Sequence, residues 1–125
     1  MPEFAVQVDT VGTTTLFRVT GAADIVTAPS LGIQAADVIR RGVSDIVVDL
    51  SDATFIDSTA LSVLLNINRR ATGARLESAV ICPPGRARVP ITIARLEDTL
   101  CVKDTEAEAL RCVEELRRRA SAGPP

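Results

Sequence analysis

Residues 54–66 read TFIDSTALSVLLN and set a carboxylate and two hydroxyls, Asp57, Ser58 and Thr59, at the mouth of an apolar segment. Two kinds of chemistry suit those residue types there. One is capping: the first N–H groups of a helix have no intrahelical partner, and Asp, Ser and Thr side chains supply one. The other is phosphoryl chemistry at a hydroxyl. A helix N-terminus carries partial positive charge, so a phosphate on Ser58 would be accommodated locally, adding about −1.5 to −2 charges and three acceptor oxygens. Asp57 lies beside it, and Asp24 is placed to approach from a parallel loop. Such a cluster could change from partner-binding to partner-repelling on phosphorylation.

What the chain lacks narrows the choice. It has no histidine, so Ser-His-Asp and Cys-His catalysis and histidine-based metal sites are impossible within it. Asp57 and Ser58 as base and nucleophile remain an enzymatic alternative, without a Gly-rich phosphate loop to support it. The expectation is no catalytic residue, no metal ligand and no cofactor. A net charge of −2, with no Trp and no Tyr, argues against direct nucleic-acid binding, which favours basic patches and stacking rings. Cys82, Cys101 and Cys112 are an odd, sparse set without CxxC spacing, and point to free thiols in a reducing compartment. A redox pair would require Cα atoms within about 7 Å and an accessible thiolate. The start MPE is unlike a signal peptide, and no apolar run approaches the ~20 residues of a membrane helix. The expected location is cytoplasmic, with no membrane contact.

The elements that must position these residues are read from periodicity. FAVQVDT (residues 4–10) and TTLFRVTG (14–21) alternate apolar and polar residues and predict a hairpin. Residues 21–24 read as a loop. Thr27 reads as an N-cap with Pro29 in the first turn, Leu31, Ala35, Val38 and Ile39 recur at helical spacing, and Gly42 ends the helix. DIVVDL (45–50) suits a central strand covered on both faces. A helix capped by Asp57 or Ser58 then runs to about Thr72, with Ala60, Leu61, Val63, Leu64, Ile67 and Ala71 as its apolar stripe. Ser62, Asn66, Arg69 and Arg70 lie on the opposite side, and Gly73 terminates it. Next come a strand over 75–82, an Arg- and Pro-rich loop over 83–90, a short helix near 91–96 and a brief strand over 100–103. Thr105 and Glu108 form a capping box for a last helix that buries Ala109, Leu110, Val113 and Leu116 and ends in three arginines.

The order ββαβαβαβα predicts one α/β domain over residues 1–119, a mixed sheet with an N-terminal hairpin and about four helices, and a disordered tail over 120–125. The hairpin's unpaired edge strand could support a weak homodimer.

VVDLSDATFIDSTAL resembles the signature of the STAS family, specifically the bacterial anti-sigma factor antagonists. VTGAADIVTAPSL resembles that family's second-strand exit and first helix, and LEDTLCVKDTEAEAL its C-terminal end; the similarity runs from about Phe4 to Leu116. The resemblance implies a substrate and a switch rather than an enzyme. The unphosphorylated antagonist binds an anti-sigma factor serine kinase of the histidine-kinase-like ATPase fold and frees a sigma factor. Phosphorylation of one serine, here Ser58, ends that binding, and a metal-dependent serine phosphatase reverses it. By the same resemblance Asp57 is the motif's Asp, and Asp24 the Asp near the partner surface.

Three positions depart from the pattern: Ala60 where Gly is usual, GAAD without an acidic residue before Asp24, and Pro90 within a segment usually helical throughout. Helical spacing from Ser58 adds Ser62 and Asn66, with Leu65 and Arg69 continuing the strip, as a docking face together with Thr59. The alternative for that strip is a solvated helix face. The alternative for the chain is a ligand-sensing or scaffold domain of the same fold in a stress-signalling assembly.

Overall fold

The structure, a computed structural model, describes residues 3–122. Five strands form one mixed sheet in the order β1 (Ala5–Val11), β2 (Thr14–Ala23), β3 (Asp45–Ile56), β4 (Ser78–Ile81), β5 (Val102–Lys103). β1 pairs antiparallel with β2; all other neighbours are parallel. Between the strands run α1 (Ala28–Arg41), α2 (Ser58–Gly73) and α3 (Val89–Ile93), and α4 (Glu106–Ala122) closes the chain. The observed order is the expected ββαβαβαβα.

Alternation along the strands divides the core between two faces, as the period of two in a strand requires. Phe17, Val19, Ile46, Val48, Leu50 and Val80 point to the side covered by α1 and α2, where Leu31, Ala35, Ile39, Ala60, Leu64 and Ile67 meet them. Leu16, Val47, Ala79 and Ile81 point to the other side, under Ala109 and Val113 of α4. β3 is therefore covered on both faces, which is why DIVVDL reads as a nearly continuous apolar run. Beyond the apolar stripe of α4 the second face turns polar. Arg18 there bridges Asp9 at 2.6 Å, Asp49 at 3.1 Å and Glu106 at 2.6 Å. These carboxylates, Glu106 first, raise the guanidinium's already high pKa further.

Several boundaries move. Residues 21–23 belong to β2 rather than to a loop, and β3 continues through SDATFI to Ile56. Gly21 makes the first extension possible. Its φ is +82°, and a Cβ there would lie 2.9 Å from the Glu3 backbone, so only glycine lets the segment leading into β1 lie against this point. Residues 51–56 escape the apolar pattern because β4 stops at Ile81, opposite Asp49, leaving the end of β3 without a neighbour on that side. α2 ends without a left-handed glycine: Ala74 is the C-cap and Arg75 takes the positive φ of 61°. The fourth strand is confined to Ser78–Ile81 and the fifth to two residues. A 3-10 turn at Arg86–Arg88 leads into α3, where Pro90 sits in the first turn and so interrupts no helical hydrogen bond. α4 extends to Ala122, into the segment expected to be a tail, and 123–125 lie outside the described residues. Its N-terminus carries the Thr105–Glu108 pair, with Glu108 N–H donating to Thr105 Oγ1 at 3.2 Å.

The cysteine expectation is corrected. Cys101 and Cys112 are joined in a disulfide, with Cα atoms 7.5 Å apart, and only Cys82 is free. Cys101 lies in the turn before β5 and Cys112 near the middle of α4. Packing α4 across the sheet brings them together, which a spacing of eleven residues does not signal. Burial pushes the Cys82 thiol up to about 11.

Candidate functional site

The site is built where two parallel strands end side by side. The β2–β3 register slips twice, between Arg18 and Thr20 and between Gly21 and Ala22, each time with an extra residue on β3. Such bulges bend a strand and re-aim the residues beyond the bend. Their result is that Ala23 pairs with Ile56, so the loop into α1 and the N-terminus of α2 leave the sheet together. Asp57 N–H donates to Ala23 O at 3.2 Å across the junction.

Asp57 is the helix cap. Its backbone is extended, at φ −109° and ψ −172°, and its Oδ1 accepts from Ala60 N at 2.9 Å. Its Oδ2 accepts from Ile25 N at 3.0 Å, so one carboxylate caps α2 and pins the neighbouring loop. Both oxygens are thus engaged by backbone donors, and neither is hydrogen-bonded to Ser58. Ser58 is the first residue of α2, exposed, and Thr59 is half-buried. Ala60, where the family usually has Gly, is buried beneath them, so its methyl faces the core rather than an approaching partner.

Asp24 organises the adjoining loop. Its Oδ1 accepts from Val26 N at 2.9 Å, Thr27 N at 3.0 Å and Thr27 Oγ1 at 3.0 Å. The Thr27 and Val26 backbone donors, and after them the Thr27 hydroxyl, hold its carboxyl below the usual carboxylate range. Thr27 was expected to cap α1 with its side chain. Instead its oxygen accepts from Asp24 N at 2.9 Å, its single proton is shared between Ala22 O at 2.7 Å and Asp24, and α1 has no side-chain cap. Ser and Thr hydroxyls often satisfy nearby backbone in this way.

Asp24, Asp57, Ser58 and Thr59 are therefore gathered at one end of the sheet. Ser62, Asn66 and Arg69 continue along the exposed side of α2, while Leu65 is half-buried. Arg86 and Arg88 part company. Arg88 bonds Cys82 O and Asp104, whereas the Arg86 guanidinium lies 5.6 Å from the centre of the Phe55 ring, three residues before Ser58. Periodicity did not single out Ile25 and Val26, at the tip of the Asp24 loop, both exposed. A signal was present: two adjacent β-branched apolar residues stand where a turn ordinarily carries polar ones.

Among the described residues no group of three or more acidic or cysteine side chains is disposed to hold a metal ion, and no helix is long and apolar enough to cross a membrane.

The STAS domain profile matches residues 5–109. No curated protein matches the chain significantly. Among solved structures it is similar to an anti-sigma factor antagonist from Mycobacterium paratuberculosis, with 25% identity, a TM-score of 0.80, and 90% of this chain and 95% of that one covered. A putative anti-sigma factor antagonist from Thermotoga maritima gives 22% identity and a TM-score of 0.80, over 87% of this chain and 94% of that one. The Bacillus cell fate determinant SpoIIAA in its phosphorylated form gives 21% identity and a TM-score of 0.68, over 87% of this chain and 99% of that one. With its matched segment spanning all five strands and reaching into the last helix, the chain belongs to the STAS domain family.

Proposed function

We propose that the protein is an anti-sigma factor antagonist. Unphosphorylated, it binds an anti-sigma factor serine kinase of the histidine-kinase-like ATPase fold and releases a sigma factor; phosphorylation of Ser58 switches binding off, and a metal-dependent serine phosphatase restores it. The contact comprises Asp24, Asp57, Ser58, Thr59, Ser62 and Asn66, and the protein acts in the cytoplasm as substrate and switch rather than as catalyst. Similarity to the Mycobacterium antagonist over nearly both whole chains supports the role.

The observation that carries the reading is the state of Ser58: exposed, first in its helix, beside a carboxylate already committed to backbone donors. The adjacent Asp57 carboxylate is held by Ala60 N and Ile25 N rather than by the Ser58 hydroxyl, which suits an acceptor of a phosphoryl group brought by another protein. The added charge would meet the positive end of α2 and leave the fold intact, while presenting a dianion beside Asp24 to any docked surface.

The test is calorimetric binding of wild type, Ser58→Ala and Ser58→Asp to the purified kinases of this class from the source cell, with intact mass measured after ATP. Wild type should gain one phosphate and Ser58→Ala none. Ser58→Ala should bind like wild type, and Ser58→Asp at least about tenfold more weakly, the scale of a desolvated charge at an interface. Equal binding by all three proteins would overturn the reading.

A further inference from the structure

Resting on that proposed function, we propose that Ile25 and Val26 select the partner: they insert into an apolar pocket of the kinase bordered by a cationic residue. Ile25 is 71% exposed and Val26 81%, although both are large β-branched hydrophobes. Single exposed apolar residues are ordinary on a protein surface. An adjacent pair held rigidly at a loop tip is less so.

Rigidity here comes from named bonds. Val26 N–H is held by Asp24 Oδ1 and Ile25 N–H by Asp57 Oδ2. Thr27 ties the base of the loop to Asp24 and Ala22. Isoleucine and valine are also stiff at χ1, so docking them orders little that is not already ordered. A preorganised apolar pair keeps more of its burial energy as affinity when a partner supplies a matching pocket.

The surface continues onto α1. Gly32 is where α1 meets α2, since a Cβ there would come within 3.3 Å of Val63 Cγ1. Ile33, the next residue, adds an exposed apolar side chain to α1, at 71% exposure. The occupant's chemistry is set by two features. The Asp57 carboxylate that caps the Ser58 helix also holds Ile25, so a surface covering the tip also reaches the acceptor hydroxyl, as a phosphoryl donor must. Asp24 has no protein donor on its Oδ2 among the described residues, so a cation at the pocket rim complements it. Phosphorylation of Ser58 would then set a dianion at the edge of a dry apolar contact, where charge is most costly.

The experiment measures steady-state phosphate transfer from ATP to Ser58 by each purified kinase of this class from the source cell. Its substrates are wild type, Ile25→Ser/Val26→Ser, Ile25→Leu/Val26→Leu and the single variant Val26→Lys. For the kinase that uses wild type, the serine double variant should raise KM about tenfold or more, with kcat within about twofold and the melting temperature unchanged. The leucine pair should restore KM, and Val26→Lys should raise it without disturbing the fold. An unchanged KM for both the serine and lysine variants overturns the inference while leaving Ser58 as the acceptor. If no kinase phosphorylates wild type, the functional reading falls and the inference with it. A concentration-dependent dimer of wild type in sedimentation, abolished by the serine double variant, would also overturn it, because a second copy would then own this surface.

Discussion

Replacing Asp57 with alanine removes two acceptors at once. Loss of the cap to Ala60 N costs about 1–2 kcal/mol, the upper part of the ~0.5–2 kcal/mol range for an N-cap. Loss of the bond from Ile25 N adds about 1 kcal/mol, below the ~1.5–3 kcal/mol usual for a charged acceptor, because water can reach that exposed N–H. The expected destabilisation is about 2–3 kcal/mol. At an unfolding entropy of about 2.1 cal/mol/K per residue, a chain of 125 residues should lose about 8–12 °C in melting temperature. Asp57→Asn separates the two contributions. Asparagine caps about as well as aspartate, but its second terminal atom is an NH2, which cannot accept from Ile25. That variant should lose about 1–2 kcal/mol, including the charge at the helix N-terminus. Urea unfolding at pH 7, monitored by far-ultraviolet circular dichroism, measures both, with the denaturant slope expected to stay constant. If alanine costs less than about 0.5 kcal/mol, or asparagine costs as much as alanine, the view of Asp57 as a tie between two loops is wrong.

Three further outcomes are expected. Asp45 is 4% exposed and paired with Arg117, which also donates to Arg75 O. Arg117→Ala should cost about 2–3 kcal/mol in chemical unfolding, less than the ~3–5 of a fully buried pair because the Arg117 side chain is 38% exposed and Asp45 keeps the donor from Glu77 N; a neutral variant would show that water replaces the guanidinium. The Asp24 carboxyl, depressed in the folded protein, contributes stability that is complete above its unfolded pKa of about 3.9 and is lost as pH falls through the lower folded value. A carboxyl titration by NMR should therefore place its midpoint below about 3.9, and a midpoint at or above that value would contradict the loop geometry. Cys82, buried with its thiol pushed up to about 11, should resist alkylation at pH 8 in the native protein and react once the chain is unfolded; rapid native labelling would refute its burial.

Local patterns carried much of this protein. The helix capped by Asp57 was legible because a capping carboxylate precedes an apolar stripe of helical period, and the two-faced sheet because DIVVDL is nearly continuous in apolar character. The Thr105–Glu108 start of α4 was legible for the same reason: residues three apart settle it. The candidate acceptor Ser58 emerged from its place in such a local signal, joined to a resemblance that runs from about Phe4 to Leu116.

What periodicity could not reach depends on contacts distant in sequence. The bond from Ile25 to Asp57 spans 32 residues and that from Arg117 to Asp45 spans 72. The chain near either end of such a bond looks no different with or without it. Thr27 reads as a cap by type, yet once β2 ran on to Ala23 its oxygen accepted from Asp24 N and its proton went to Ala22 O, so it serves the loop rather than the helix. The polar SDAT segment reads as a loop, because a strand that overhangs its neighbour has no apolar partner to alternate against. Sequence by itself determined which elements form, since helical and strand periods and caps are settled within a few residues. Only the tertiary structure decided how they meet: two bulges set Ala23 opposite Ile56, and that register brings Asp24, Ile25 and Ser58 to one end of the sheet.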